Sequence, residues 1–121
     1  MLDIIFYKTD KMQPQYIEVS ENIYEWLARS HFSKIGESTE QNIEIDGEIK
    51  NLSVVKLDTK NRSQLRLFFL EAVAEESDNL LKKLIENLDK NEYNEVTYRL
   101  RKLQELRKCV ENPAHKFLQR V

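Results

Sequence analysis

The sequence predicts an α+β fold in which a small antiparallel sheet packs against helices. Residues 1–60 contain short apolar runs typical of strands, whereas residues 61–121 place apolar residues at helical spacing. An Asp-Gly pair between alternating apolar residues of the first half indicates a tight hairpin. With 121 residues, 40% of them hydrophobic and 33% charged, the chain is predicted to form one globular domain over residues 1–121.

The strand-rich half is predicted to begin with two short strands. Leu2–Lys8 contains the run Ile-Ile-Phe-Tyr without helix caps, which favours an interior strand. Residues 9–15 are polar and contain a proline, so they are predicted to form a loop. Residues 16–19 indicate either a second strand or an extended lead into the helix that follows.

An aromatic helix is predicted next, with Ser20 as its N-cap, because a serine hydroxyl accepts a hydrogen bond from an amide of the first turn. Ile23, Trp26 and Leu27 share one helical face, and Tyr24 lies beside them. We expect the helix to end near Ser30 and its aromatic side chains to anchor the core rather than a partner. Residues 31–41 contain few apolar residues and are predicted to form a loop.

The strongest local signal is the alternation Ile-Glu-Ile-Asp-Gly-Glu-Ile over residues 43–49. Asp46 and Gly47 suit the positive φ angles of a two-residue hairpin turn. A further strand is predicted over residues 52–57, with Asn51 marking either a bulge or a turn before it.

The helical half is predicted to form a helical hairpin that packs on the sheet. Apolar residues recur at helical spacing from Asn61, and the polar residues 75–79 either break this helix or form an exposed turn of it. The leucine pattern continues to Leu88, and residues 89–92 are the predicted connector. The broad apolar face of residues 65–73 also offers an interface for a homo-oligomer.

A last long helix is predicted to end at Asn112 and Pro113, because proline cannot continue a helix. Its core face is predicted from five apolar residues: Val96, Leu100, Leu103, Leu106 and Val110.

Few residues of the types needed for chemistry occur. The two histidines, His31 and His115, lack a neighbouring histidine or cysteine at ligand spacing, so no metal site is predicted. Cys109 is expected to be a half-buried, unreactive thiol. Gly36 and Gly47 are too few and too far apart for a phosphate-binding loop. We therefore predict no catalytic residue and no cofactor, and a protein that is not an enzyme.

The sequence favours a cytoplasmic location. Its longest apolar run, the four residues 67–70, is far shorter than the roughly 20 residues that span a bilayer. The first residues lack the basic flank and cleavage site of a signal peptide. A single cysteine, which cannot form an internal disulfide, fits a reducing compartment.

Charge is distributed unevenly along the chain. Residues 1–60 carry 7 basic and 11 acidic residues, net −4, whereas residues 61–121 carry 12 and 10, net +2. Five acidic residues cluster in the first half: Glu37, Glu40, Glu44, Asp46 and Glu48. A second acidic group comprises Glu71, Glu75, Glu76 and Asp78. The last helix carries a basic stretch: Arg99, Arg101, Lys102, Arg107 and Lys108.

These clusters support two functional hypotheses. The first acidic group could bind a protein partner by electrostatic complementarity, which is the leading hypothesis. Alternatively, Arg99, Arg101 and Lys102 could contact nucleic acid, although a chain with pI ≈ 5.8 is more acidic than most nucleic-acid-binding domains.

Three segments carry a resemblance to a known class of proteins: Leu-Asp-Ile-Ile-Phe-Tyr-Lys at residues 2–8, Gln-Tyr-Ile-Glu-Val-Ser at residues 15–20 leading into Ile-Tyr-Glu-Trp-Leu, and Tyr-Arg-Leu-Arg-Lys-Leu at residues 98–103. In these segments the chain resembles small bacterial immunity proteins of polymorphic or contact-dependent growth inhibition toxin systems. The resemblance implies a cytosolic protein that binds one cognate toxin domain and blocks it. It implies no catalytic residues, and a nuclease is the first expectation for the toxin.

Overall fold

A computed structural model describes residues 2–8, 13–87 and 89–120, and these residues confirm the α+β fold. The strands are β1 (Leu2–Lys8), β2 (Gln15–Val19), β3 (Ser38–Ile45), β4 (Glu48–Lys56) and β5 (His115–Gln119). The α-helices are α1 (Glu21–Arg29), α2 (Thr59–Ile85) and α3 (Lys90–Glu111), and a 3₁₀ turn spans His31–Lys34. The predicted loop at residues 9–12 and the predicted helical position Leu88 lie outside the described residues.

The five strands form one antiparallel sheet in the order β2-β1-β5-β4-β3. β1 is an interior strand, as predicted, because it pairs with β2 on one side and with β5 on the other. The segment at residues 16–19 is a strand rather than a lead into α1. The two edges of the sheet are β2, which packs against α3, and β3.

The middle strand, β5, has no counterpart among the predicted elements. It is only five residues long and follows the end of α3, so neither its length nor its position separates it from a tail. Its one signal is the apolar pair Phe117 and Leu118, whose side chains lie on opposite faces of the sheet.

One face of the sheet packs against the three helices and forms the main core. The fully buried side chains include Phe6, Leu27, Leu65, Phe69, Leu103, Leu106 and Leu118. Burial of one such side chain stabilises the fold by about 1.5–3 kcal/mol. Tyr24 and Trp26 are half-buried against this core, as predicted, and Trp26 contacts Phe68 with ring centroids 5.8 Å apart.

The other face of the sheet forms a second, smaller core beneath the hairpin of β3 and β4. Only Val55 and Lys56 of β4 pair with β5, so most of the hairpin extends past the end of β5. Ile43 and Val54 are nevertheless buried, because they pack with Tyr7 of β1. The hairpin therefore curls over this face of the sheet.

The hairpin turn has the predicted geometry, but the strands beside it are longer than predicted. Asp46 and Gly47 have φ angles of 53° and 80°, as a type I′ turn requires. β3 begins at Ser38, inside the predicted loop, because the exposed first half of an edge strand needs few apolar residues. The bulge or turn predicted at Asn51 is wrong, because Asn51 pairs regularly with Asn42.

The first helix of the helical hairpin, α2, is continuous from Thr59 to Ile85. It begins before Asn61, whose backbone amide donates to the Asp58 carboxylate at 2.7 Å. Of the two alternatives predicted for residues 75–79, the structure shows the continued helix, and Glu76 in this stretch forms an ion pair with Arg99 of α3.

The second helix, α3, begins at Lys90, so residues 89–92 are its first turn and not a connector. Asp89 is its N-cap and accepts a hydrogen bond from the Glu92 amide at 2.8 Å. The helix ends at Glu111, before Pro113, as predicted. No helix in the three described ranges combines the length and the apolar character needed to cross a bilayer.

Two arginines donate hydrogen bonds to backbone carbonyls at the ends of these elements. The sequence does not single them out. Arg62 donates four hydrogen bonds of 2.7–3.0 Å to backbone carbonyls: those of Leu57, Val110, Asn112 and His115. Arg120 donates to the carbonyls of Phe32, Ile35 and Gly36, immediately before β3. These bonds fix the approach to the hairpin relative to the sheet.

Candidate interaction surface

The acidic hairpin, which we define as residues 37–56, carries Glu40 and Glu44 on one face. Both residues belong to β3 and are four positions apart, so their side chains lie on the same side of the strand roughly 13 Å from each other. Glu40 is exposed and Glu44 is half-exposed. The structure thus brings these two predicted residues together on a solvent-facing surface.

The other three acidic residues occupy different positions: one lies in the turn, one on the opposite face and one before β3. Asp46 occupies the turn, where its carboxylate accepts a hydrogen bond from the Gln13 side chain. Glu48 pairs with Ile45 and therefore lies on the opposite face from Glu44. Glu37 precedes β3 and lines a groove of about 690 Å³ with Lys34 and Lys60, so its charge has cations nearby.

The acidic hairpin is not neutralised by ion pairs within the described part of the chain. The ion pairs found there are Arg66–Glu111, Arg99–Glu76, Lys102–Glu105 and Arg107–Glu111, and none of them involves the hairpin. Glu40 and Glu44 face Ser53 and Ile49 across the β3–β4 ladder, and neither of these carries a charge. As far as the described residues are concerned, their negative charge is therefore left for a partner.

An exposed apolar residue lies next to these charges. Ile49 is directly opposite Glu44 and is 74% exposed. An apolar side chain of this kind can anchor a partner while charged residues around it set the orientation. The sequence alternation places Ile49 in the hairpin but does not show which face of the curled hairpin is open.

Most residues of the basic stretch of α3 contact other side chains of the same chain. Arg99 lies between Glu76 and Trp26, with Nε 3.0 Å from Glu76 Oε1 and the guanidinium 4.9 Å from the Trp26 ring centre. Its Nε–H is not aligned for a hydrogen bond to that oxygen, so the contact is mainly electrostatic. Lys102 lies 3.4 Å from a Glu105 oxygen and 5.7 Å from the Tyr98 ring centre.

The remaining basic residues are divided between paired and exposed positions. Arg107 donates to Gln104 and Glu111, and Glu111 also accepts from Arg66. Arg101 and Lys108 are exposed. Of the three residues predicted for nucleic-acid contact, Arg101 alone has its charge outside such intramolecular contacts in the described ranges, which weakens that hypothesis.

Cys109 and His115 line one groove of about 480 Å³ between β2 and α3, but they do not form a nucleophile and base. Burial, followed by the charge of Glu105, raises the pKa of the Cys109 thiol to about 11. The Nδ1 atom of His115 donates to the Cys109 carbonyl at 2.7 Å rather than to its sulfur. Burial also lowers the pKa of His115, which keeps the ring neutral.

Two further sequence predictions concern metals and self-association. Within residues 2–8, 13–87 and 89–120, no three histidine, cysteine or carboxylate side chains are grouped to hold a metal ion. The face at residues 65–73 that offered a homo-oligomer interface is used inside the chain, since Leu65, Phe69 and Ala72 are buried in the main core. Leu67 faces away from that core and is 58% exposed.

Comparisons of the chain with protein families, with curated proteins and with solved structures returned no match.

Proposed function

We propose that this protein is a non-enzymatic immunity protein that binds a cognate toxin domain in the cytoplasm and occludes its active site. The observation that supports the proposal is the pair Glu40 and Glu44, which lies on an exposed hairpin face and forms no ion pair among the residues that the structure describes. Uncompensated like charges raise the association rate with a partner of opposite charge.

A nuclease is the toxin class that fits this surface best. Nuclease active sites are lined with cations because they bind phosphates. Carboxylates spaced along β3 could occupy such a site in place of phosphates, and Ile49 would add an apolar contact beside Glu44. Binding of this kind blocks substrate access and needs no chemistry from the immunity protein.

The proposal is tested by capture followed by an activity titration. The tagged protein is used to isolate its partner, mass spectrometry identifies it, and the purified partner is assayed for toxicity and for nuclease activity. We expect activity to fall in proportion to added protein and to vanish at equimolar amounts. A partner that retains full activity in the saturated complex would contradict inhibition.

A further inference from the structure

Among residues 2–8, 13–87 and 89–120, the outer edge of β3 presents a row of unpaired backbone groups. The two-residue turn makes Ile45 and Glu48 a hydrogen-bonded pair, so hydrogen-bonded pairs recur at every second residue along the ladder. The residues between them direct their N–H and C=O groups away from β4: Ser38, Glu40, Asn42 and Glu44. β3 is the terminal strand of the sheet, so these groups face outward.

Apart from its two glutamates, this edge lacks the features that usually prevent strand addition. Residues 38–45 contain no proline, lysine or glycine, and they pair with β4 without a bulge. The opposite edge, β2, is bordered by α3 instead. The hydrogen bonds from Arg120 to Ile35 and Gly36 hold the start of β3, so the edge is ordered before a partner arrives.

The charges on this edge determine which strand it can accept. If two copies of the chain paired antiparallel about Asn42, Glu40 of each copy would lie directly opposite Glu44 of the other. Like charges in that position destabilise a strand pair. A strand with lysine or arginine at the same two positions would instead form two favourable cross-strand pairs.

We propose that β3 receives an extended basic segment of the partner as a sixth strand of the sheet. Basic residues four positions apart would lie opposite Glu40 and Glu44, and the first and third of the residues between them would face the side of Ile43 and Ile45. Main-chain hydrogen bonds supply the affinity and the paired charges supply the selectivity. This inference deepens the proposed function and rests on it for the identity of the partner.

The experiment uses a synthetic probe in place of the partner. The acetylated and amidated peptide Lys-Val-Thr-Val-Lys-Val-Thr is titrated into the ¹⁵N-labelled full chain at low salt, and Glu-Val-Thr-Val-Glu-Val-Thr is the matched control. We expect amide shifts concentrated at Ser38, Glu40, Asn42 and Glu44, with the lysine peptide binding about tenfold more tightly. Shifts on another surface, or equal binding of both peptides, would overturn the proposal.

Two variants separate main-chain pairing from simple charge attraction. Asn42→Pro removes one outward N–H without removing a bond to β4, and it should abolish the peptide-induced shifts, whereas Asn42→Thr should retain them. Because the proline variant could fail to fold, the double variant Glu40→Lys/Glu44→Lys is tested as well. It should prefer the glutamate peptide, and an unchanged preference for lysine would count against the proposal.

Failure of this inference can be distinguished from failure of the proposed function. If a captured toxin is inhibited equally by wild type and by folded Asn42→Pro, strand addition is wrong and inhibition stands. If the captured partner is not inhibited but the lysine peptide pairs with β3, the immunity role is wrong and the edge remains a docking site for basic strands.

Discussion

In the acidic hairpin, Glu40 and Glu44 face solvent without an ion pair in the described residues, whereas in α3 both Arg99 and Arg107 contact carboxylates of the same chain. Both regions concentrate one sign of charge in the sequence. The difference arises because α3 lies beside α2, whose Glu76 is within reach, while the hairpin projects past β5. Clustered charge in a sequence therefore indicates a binding surface only where the fold leaves it uncompensated.

The largest loss of stability is expected when the hydrogen bonds of Arg62 to backbone carbonyls are removed. Arg62→Ala removes four hydrogen bonds to backbone carbonyls and should lower the free energy of unfolding by about 3–4 kcal/mol. Urea unfolding measures the change. Arg66→Ala, one turn further along α2, is the control and should cost less than about 1 kcal/mol because Arg66 is exposed.

A smaller effect is expected at Arg99, the first residue of the basic stretch. Arg99→Ala removes the contacts with Glu76 and Trp26 and should cost about 1–2 kcal/mol, since Arg99 is partly exposed. Arg101→Ala should change stability by less than about 0.5 kcal/mol. If both variants lost the same free energy of unfolding, the contacts of Arg99 with Glu76 and Trp26 would not stabilise the fold as we describe.

The interior should respond to pH through His115. Burial holds the pKa of this ring below its ordinary value of about 6.5, so its contribution to stability is complete above that pH. As the pH falls below 6.5, the unfolded chain binds a proton that the folded chain does not, and stability should fall by up to about 1.4 kcal/mol per pH unit. The free energy of unfolding, measured from pH 7.5 to pH 5, should show this slope in the wild type.

The variant His115→Phe is the control for that slope. Phenylalanine can keep the contact with Phe6, whose ring centre lies 5.2 Å from that of His115, but it does not titrate. The variant should lose the part of the slope that is due to His115. If wild type and variant keep the same slope, carboxylates account for the pH response instead.

The smallest effect on stability is expected in the hairpin itself. The double variant Glu40→Gln/Glu44→Gln removes two charges that contact no cation in the described structure and should change the free energy of unfolding by no more than about 0.5 kcal/mol. Thermal and urea unfolding measure it. A loss above about 1 kcal/mol would mean that these glutamates support the fold rather than a partner.

Local sequence patterns predict most of the fold, because turns and helix ends are determined by residues that are neighbours in sequence. The hairpin turn follows from Asp46 and Gly47, and the end of α3 follows from Pro113. The middle strand, β5, depends instead on pairing with β1 and β4, which are distant in sequence, and periodicity does not report such pairing. The first half of β3 is exposed at the sheet edge, so few apolar residues mark it. This is why residues 38–41 were expected to form a loop.

The candidate surface is predictable in composition but not in arrangement. The five acidic residues are visible as a cluster, yet pleating sends Glu48 to the opposite face from Glu44. Periodicity also places Arg99 on the outer face of its helix, but it contacts Glu76 across the helical hairpin. Arg62 and Arg120 donate hydrogen bonds to carbonyls of segments that meet only in the folded chain. No sequence pattern predicts that these carbonyls come together.

The most direct test compares the two charged regions in one binding experiment. Association rates with the captured partner are measured by stopped flow, from low to physiological salt, for the wild type, for Glu40→Lys/Glu44→Lys, and for the basic-region control Arg101→Gln/Lys108→Gln. We expect the acidic double variant to associate at least tenfold more slowly at low salt and with a flatter salt dependence, while the control matches the wild type. Unchanged rates in the acidic double variant, together with slower association in the control, would contradict an acidic binding surface.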